Sequence, residues 1–204
     1  MTKPSDPTRD KSLIAAAERG DAAETTRLLR NGASIRAVDE RGRTALVAAA
    51  YGKHNEVARL LIEAGADVNI QDDSKQSAYL IPTADGNVEL LQMTLRAGAN
   101  VHSLDSYNGT GLIRAADRGF ADVIRELLKT DIKIDHVNRL GWTALLEAII
   151  LGDGGVNHTE VVRLLLEAGA NARIADSQGV TPIQHARQKR LTEIVRLLEN
   201  TGAR

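Results

Sequence analysis

The sequence predicts an all-α protein made of repeated pairs of short helices, and three observations support this fold class. The first is a repeat of 33 residues, lengthened once by a five-residue insertion, whose markers are Asp39, Asp72, Asp105, Asn138 and Asp176. The second is a Thr or Ser five residues after each marker, in a place suited to capping a helix. The third is an aromatic content of only 2%, which requires an interior of small and aliphatic side chains and favours closely stacked helices.

Each unit begins with a turn that leads into a candidate N-cap residue. The side-chain oxygen of Thr or Ser can accept a hydrogen bond from an otherwise unpaired N–H in the first helical turn. The five candidates are Thr44, Ser77, Thr110, Thr143 and Thr181. A short first helix is predicted to follow, such as Ala45–Tyr51 or Gly111–Arg118, and Pro182 stands at a first helical position, where no donor is needed.

A second helix in each unit is predicted from apolar residues at helical spacing, such as Val57, Leu60 and Leu61. Glycine then ends most units, because the left-handed conformation that closes a helix costs least at glycine. The closing glycines are Gly32, Gly65, Gly98, Gly169 and Gly202. These boundaries give six units at about 6–38, 39–71, 72–104, 105–137, 138–175 and 176–204.

These motifs resemble the ankyrin repeat. The clearest matches are 42–46 (Gly-Arg-Thr-Ala-Leu), 56–61 (Glu-Val-Ala-Arg-Leu-Leu) and 65–69 (Gly-Ala-Asp-Val-Asn). The resemblance covers nearly the whole chain and is to small ankyrin-repeat proteins of the bacterial type. It implies an ankyrin-repeat solenoid of about six helix–turn–helix units, with β-hairpin-like turns on one edge and a concave face that binds proteins.

Three departures from the repeat are expected to act locally. Residues 1–10 are predicted to form a polar tail before a single repeat domain at 11–204, whose first unit has the polar character of a terminal cap. Pro82 is expected to shorten or kink the first helix of the third unit, which makes this unit the weakest internal part of the stack. The insertion at 153–157 is expected to lengthen a turn between two helices, as a neutral bulge or as a partner contact.

The composition argues against catalysis and against charged partners. Lys and Arg number 26 against 27 Asp and Glu, with both signs interleaved, so no nucleic-acid or membrane partner is expected. The chain has no cysteine, and its five histidines lie in five different units without the spacing of metal ligands. They are His54, His102, His136, His158 and His185. We therefore expect no enzyme activity, cofactor or metal, and a cytoplasmic location, since the sequence shows no signal segment.

The turn tips and the outward ends of the first helices are the predicted partner-binding surface, as the ankyrin resemblance implies. The tips of the fourth and fifth units are the most apolar and are expected to form one patch. The residues predicted to bind a partner are Tyr51, Tyr107, Arg118, Arg139, Leu140, Trp142, Ile150 and Leu151. For Leu140 and Trp142 the alternative is that they brace the neighbouring turn. The predicted function is a monomeric, non-catalytic module that binds a protein partner; the alternative is a structural element that self-associates, for example as a homodimer.

Overall fold

The computed structural model describes residues 6–202, and these residues form twelve α-helices joined by turns. The all-α class predicted from the sequence is therefore confirmed. Two compact units are present. The N-terminal unit contains the described residues up to Pro82 together with Glu89–Asn100, and the C-terminal unit contains Thr83–Val88 and the described residues from Val101 onward.

In the N-terminal unit, small side chains allow the helices to pack closely. The first six helices are α1 (Pro7–Arg19), α2 (Ala22–Arg30), α3 (Ala45–Tyr51), α4 (Asn55–Glu63), α5 (Leu80–Asp85) and α6 (Val88–Arg96), of which α5 and α6 each cross the unit boundary. First helices pack on first helices, as α1 does on α3, and second on second, as α2 does on α4. Six consecutive residues of α3 are buried, at positions 45–50, and they join one apolar core with Leu13 and Leu61.

The C-terminal unit repeats this two-layer arrangement. Its helices are α7 (Gly111–Arg118), α8 (Ala121–Leu127), α9 (Ala144–Ile150), α10 (Val156–Glu167), α11 (Pro182–Gln188) and α12 (Thr192–Asn200). Helix α9 packs between α7 and α11 in one layer, and α10 packs between α8 and α12 in the other. The first-helix layer is the one that adjoins the turns and carries the candidate site.

The repeated Asp or Asn explains physically why the 33-residue period exists. At each of the five markers the backbone N–H donates to the carbonyl oxygen four residues later, at 2.8–3.0 Å, which gives the turn its hairpin-like form. The marker side chain then accepts from the N–H groups two and four residues later. Asn138, for example, accepts from Leu140 at 2.9 Å and from Trp142 at 3.0 Å.

The predicted helix caps are confirmed. Each candidate N-cap hydroxyl accepts from the N–H three residues later, at 3.1–3.5 Å. Helices α3 and α7 have the bounds that the sequence predicts. The closing glycines lie in the left-handed region, with φ between 75° and 93°. Asp131 takes the place of this glycine in the fourth repeat.

Two boundaries differ from the sequence prediction. Helix α1 begins at Pro7, inside the predicted 1–10 tail, because Asp6 accepts hydrogen bonds from the N–H groups of Thr8 and Arg9 and Pro7 needs no donor there. Residues 1–5 of that tail lie outside the described residues. The 153–157 insertion is not only a longer turn: it also extends a helix, since α10 begins at Val156 and has 12 residues against 9 in α4.

Pro82 shortens α5, as predicted. The helix has six residues and begins at Leu80, whereas α3, α7, α9 and α11 begin directly after their capping residue. The N–H of Ile81 donates to the carbonyl oxygen of Ser77 at 3.0 Å, as the equivalent residues do in the other repeats. Pro82 then has no N–H to donate to the carbonyl oxygen of residue 78, so the helical bonding is interrupted after this first bond.

We expect hydrogen exchange to be faster over residues 78–86 than over residues 111–118 of α7. The reason is that the shorter helix has fewer intrahelical bonds to break before an amide is exposed. Native-state exchange followed by mass spectrometry or NMR measures this directly. Equal protection of the two segments would show that the third repeat is not a weak point.

Candidate partner-binding groove

The turn tips of the fourth and fifth repeats are joined directly through the backbone. The N–H of Arg139 donates to the carbonyl oxygen of Tyr107 at 2.9 Å. Beside this bond, His136 Nε2 lies 2.7 Å from the carbonyl oxygen of Asn108. These contacts fix the two tips in one register, so the exposed side chains that they carry occupy adjacent positions.

A groove of about 200 Å³ is lined by these two turns and by α7 and α9. Its apolar rim consists of Tyr107, Leu140 and Leu151, whose exposed fractions are 64%, 46% and 50%. The polar lining residues are Asp105, Arg114, Asp117, Asn138 and Glu147. Large apolar side chains that remain exposed above a polar floor are typical of a surface that binds another molecule.

Glu147 is the charged residue that α9 contributes to this floor. It is the only charged residue of α9, which otherwise consists of Ala, Leu and Ile, and it is 5% exposed. Asn138 Nδ2 donates to its Oε1 at 2.6 Å, and no described residue donates a hydrogen bond to its Oε2.

Burial raises the pKa of the Glu147 carboxyl to about 7. The hydrogen bond from Asn138 opposes this rise, and the negative charges of Asp117 and Asp105 add to it. The carboxyl is therefore about half ionised at neutral pH. It gains a full negative charge only when the pH rises or when a cation approaches.

The other two repeats of this unit place a basic side chain, arginine or histidine, where the fifth repeat has Glu147. In each of them the residue nine positions after the marker contacts the marker's carboxylate. Arg114 Nη1 donates to Asp105 Oδ2 at 3.0 Å, and His185 Nε2 lies 2.8 Å from Asp176 Oδ2. In the fifth repeat the acid lies on the helix instead of the turn, and its partner is the neutral amide of Asn138.

In the N-terminal unit the marker carboxylates also have side-chain donors. Arg43 Nε donates to Asp39 at 2.7 Å, and the hydroxyl of Tyr51 donates to Asp72 at 2.8 Å. Tyr51, one of the predicted binding residues, therefore supports a turn through its hydroxyl, although its side chain is 42% exposed.

Of the predicted binding residues, the structure brings Tyr107, Leu140 and Leu151 together at one groove. Trp142 and Ile150 are half-buried and do not line it. The exposed residues Arg118 and Arg139 also lie outside the lining, Arg118 beside Asp117 at 3.3 Å.

The histidines have structural partners. In the C-terminal unit His158 Nε2 lies 3.0 Å from the carbonyl oxygen of Asp117, and in the N-terminal unit His54 Nε2 lies 3.1 Å from that of Glu18. Within residues 6–202 no group of three or more His, Cys, Asp or Glu side chains is placed to hold a metal ion. None of the helices in this part of the chain is long and apolar enough to cross a membrane.

Glu147, Asn138 and Arg114 line the groove but are not among the residues predicted from the sequence to bind a partner. Two signals in the sequence point to them. Asn138 is the only marker that is not aspartate, and Glu147 is the only charge in an otherwise apolar helix. In each repeat of this unit the marker contacts the residue nine positions later, and this spacing pairs Asn138 with Glu147.

Comparison with known proteins identifies the family. The family model described as ankyrin repeats (3 copies) matches residues 2–72 and 79–170. The chain is 46% identical over 74 residues to the putative ankyrin repeat protein YahD of Escherichia coli (strain K12), a match spanning 36% of this chain and 37% of YahD.

Two crystal structures extend this similarity over nearly the full length. An ankyrin repeat domain from Acinetobacter baumannii AYE has a TM-score of 0.91 and 46% identity, over 94% of this chain and 98% of that one. The ankyrin repeat protein EF0377 has a TM-score of 0.88 and 34% identity, over 92% of this chain and 96% of that one.

The chain belongs to the ankyrin repeat family, and the predicted ankyrin-repeat fold class is confirmed. Ankyrin repeats are generally protein–protein interaction modules, and the proteins of this family are generally non-catalytic scaffolds.

Proposed function

We propose that this protein is a non-catalytic interaction module that binds a protein partner at the groove of the C-terminal unit. The observation that carries the proposal is the exposure of Tyr107, Leu140 and Leu151 around one groove. Binding would remove this apolar surface from water, which stabilises a complex by about 25 cal/mol for each Å² buried.

The rim is suited to recognition because its backbone is already ordered. The hydrogen bonds that join the tips, from Arg139 to Tyr107 and from His136 to Asn108, hold the rim residues in place before a partner arrives. A preorganised surface loses little conformational entropy on binding. The volume of about 200 Å³ is below the 300–1,000 Å³ typical of small-molecule sites and has room for a side chain of a partner protein.

Site-specific photocrosslinking tests the proposal. The photoreactive amino acid benzoylphenylalanine would replace Tyr107 in one variant and Arg196, which is exposed on α12 away from the groove, in another. Irradiation in an extract of the source cells is expected to join one specific protein to the Tyr107 variant and not to the Arg196 variant. The same products from both positions, or none from either, would contradict the proposal. A crosslink to a second copy of this chain would identify self-association as the function.

A further inference from the structure

The fifth repeat lacks the basic side chain that the neighbouring repeats of its unit place beside the acid. Asp105 has Arg114 and Asp176 has His185 as hydrogen-bonding partners from the same chain. Glu147 has only the amide of Asn138. A buried carboxylate is costly unless it is paired with a cation or fully hydrogen-bonded, so the ionised form of Glu147 is left incompletely compensated.

The charged residues that line the groove carry more negative than positive charge. Asp105, Asp117 and Glu147 face one cation, Arg114, which is held by Asp105. Asp117 also lies 3.3 Å from Arg118. Arg118 is 62% exposed, and ion pairs at this level of exposure are weak and are screened by salt.

The charged groups on the other elements packed against α9 are already engaged. On α11, Arg187 donates to Glu199 and His185 contacts Asp176. Directly after α11, Lys189 Nζ donates to the carbonyl oxygens of residues 149, 150 and 152. On α10, Arg163 is hydrogen-bonded to Glu160 and Glu167, and His158 lies between Asp153 and the carbonyl oxygen of Asp117. None of these groups donates a hydrogen bond to Glu147.

We propose that the groove receives an arginine side chain of the protein partner, with its guanidinium against Glu147 and Asp117 and the apolar neighbours of that arginine against Tyr107 and Leu140. This inference rests on the function proposed above and names the chemistry that the groove recognises. Arginine fits better than lysine because its guanidinium is planar, is more weakly hydrated than an ammonium and can donate to two carboxylates at once.

Binding is then linked to the protonation of Glu147. With a pKa near 7 in the free protein, the ionised fraction of this carboxyl rises about tenfold between pH 6 and pH 8. A partner that binds only the ionised form should therefore bind about tenfold more tightly at pH 8 than at pH 6.

The first experiment uses N-acetyl-L-arginine amide as a probe and the ¹³C resonance of the Glu147 carboxyl as the signal. We expect the probe to lower the titration midpoint of Glu147 by about one pH unit when it binds the ionised form tenfold better. The matched neutral probe, N-acetyl-L-citrulline amide, and sodium chloride at equal concentration should leave the midpoint in place. The exposed carboxyl of Glu193 reports non-specific effects in the same spectra.

A midpoint that does not move, or that moves equally with citrulline or with salt, would overturn the inference. This result would leave the function proposed above intact if the Tyr107 variant still crosslinks to its partner. Conversely, a failed crosslink together with a lowered midpoint would contradict the proposed function and show that the groove nevertheless accepts a guanidinium.

The second experiment tests the contact between Glu147 and an arginine of the crosslinked partner. Replacing the partner's arginine at the groove with citrulline, by peptide synthesis of the crosslinked segment, should weaken binding at pH 8 at least about tenfold. Glu147→Gln should produce a similar loss and remove the pH dependence. In the Glu147→Gln variant the citrulline replacement should have little further effect, because the two changes remove one interaction.

Three results would each overturn the inference. The losses of affinity from Glu147→Gln and from citrulline could add up, the pH dependence of binding could persist in Glu147→Gln, or the crosslinked segment could contain no arginine. Leu140→Ser serves as the control, because it should weaken the arginine and citrulline segments by the same factor and keep the pH dependence.

Discussion

Replacing Leu140 by aspartate should weaken partner binding by at least about 30-fold. Leu140 lies on the rim of the groove with 46% of its surface exposed, so a partner that fills the groove would bury it. Loss of a residue that acts as a hot spot of an interface costs about 2 kcal/mol or more, which corresponds to the 30-fold change expected if Leu140 is such a residue. The new carboxylate would also have to be buried against the apolar groups of the partner that pack on Leu140, and a charged group buried without a partner of its own is costly.

Calorimetry with the crosslinked partner measures this effect, and Val156→Asp is the matched control. Val156 is 87% exposed, lies in the same unit and does not line the groove. We expect the control to bind within about threefold of the native protein. Equal losses in both variants would indicate a general effect of charge, and equal retention would show that the partner binds elsewhere.

Trp142→Ala distinguishes the groove from the turn tip as the centre of binding. The sequence predicts Trp142 as one of the binding residues because of its position at a turn tip, whereas the rim of the groove consists of Tyr107, Leu140 and Leu151. The indole is half-buried and does not line the groove, so we expect a smaller loss of affinity than for Leu140→Ala. A larger loss of affinity for Trp142→Ala than for Leu140→Ala would show that the partner binds mainly at the turn tip.

The fold could be predicted from the sequence because the repeat is encoded in local contacts. Each marker side chain accepts hydrogen bonds from its own turn, and each capping hydroxyl accepts from its own helix. Contacts that span two to four residues produce patterns that can be recognised along the chain. Pro82 belongs to the same class, because its missing donor acts on its own helix.

The groove could be predicted only in part, because it depends on contacts between repeats. Tyr107 and Leu140 belong to separate turns, and the bond that sets their register, from the Arg139 N–H to the Tyr107 carbonyl oxygen, involves no side chain. Such a bond leaves no signature in the residue types. In the fifth repeat the sequence shows a neutral residue on the turn, Asn138, and an acid on the helix, Glu147. The effect of this acid on the groove depends on its burial, which only the packed helices reveal.

Glu147→Gln should stabilise the protein at pH 8 and have little effect at pH 5. The pKa of Glu147 is about 7 in the folded protein and near its ordinary value of 4.5 in the unfolded chain. Between these values the folded state binds more protons than the unfolded state, so the contribution of Glu147 to stability falls as the pH rises from about 4.5 to about 7. Above pH 7 the folded protein carries the full cost of an ionised, buried carboxyl.

Glutamine removes this cost and keeps the local contact. Its side-chain oxygen can still accept from Asn138 Nδ2, and it has nearly the shape of protonated glutamic acid. Because the groove admits water, we expect a gain of about 2 kcal/mol at pH 8, less than the full pKa difference would give at 1.36 kcal/mol for each unit. In a chain of this length that gain raises the thermal midpoint by about 4–8 °C.

Thermal unfolding of both proteins between pH 5 and pH 8 measures the difference directly, and the effects of other titrating groups cancel in the comparison. The control is Glu193→Gln, because Glu193 is exposed on α12 and its ion pair with Arg196 is of the surface type, which contributes little. Its stability should follow the native protein at every pH. Parallel pH profiles for Glu147→Gln and the native protein would show that Glu147 is ionised in the folded state throughout this range. The carboxylate would then already be compensated within the chain, and the groove would have no need of a partner's cation.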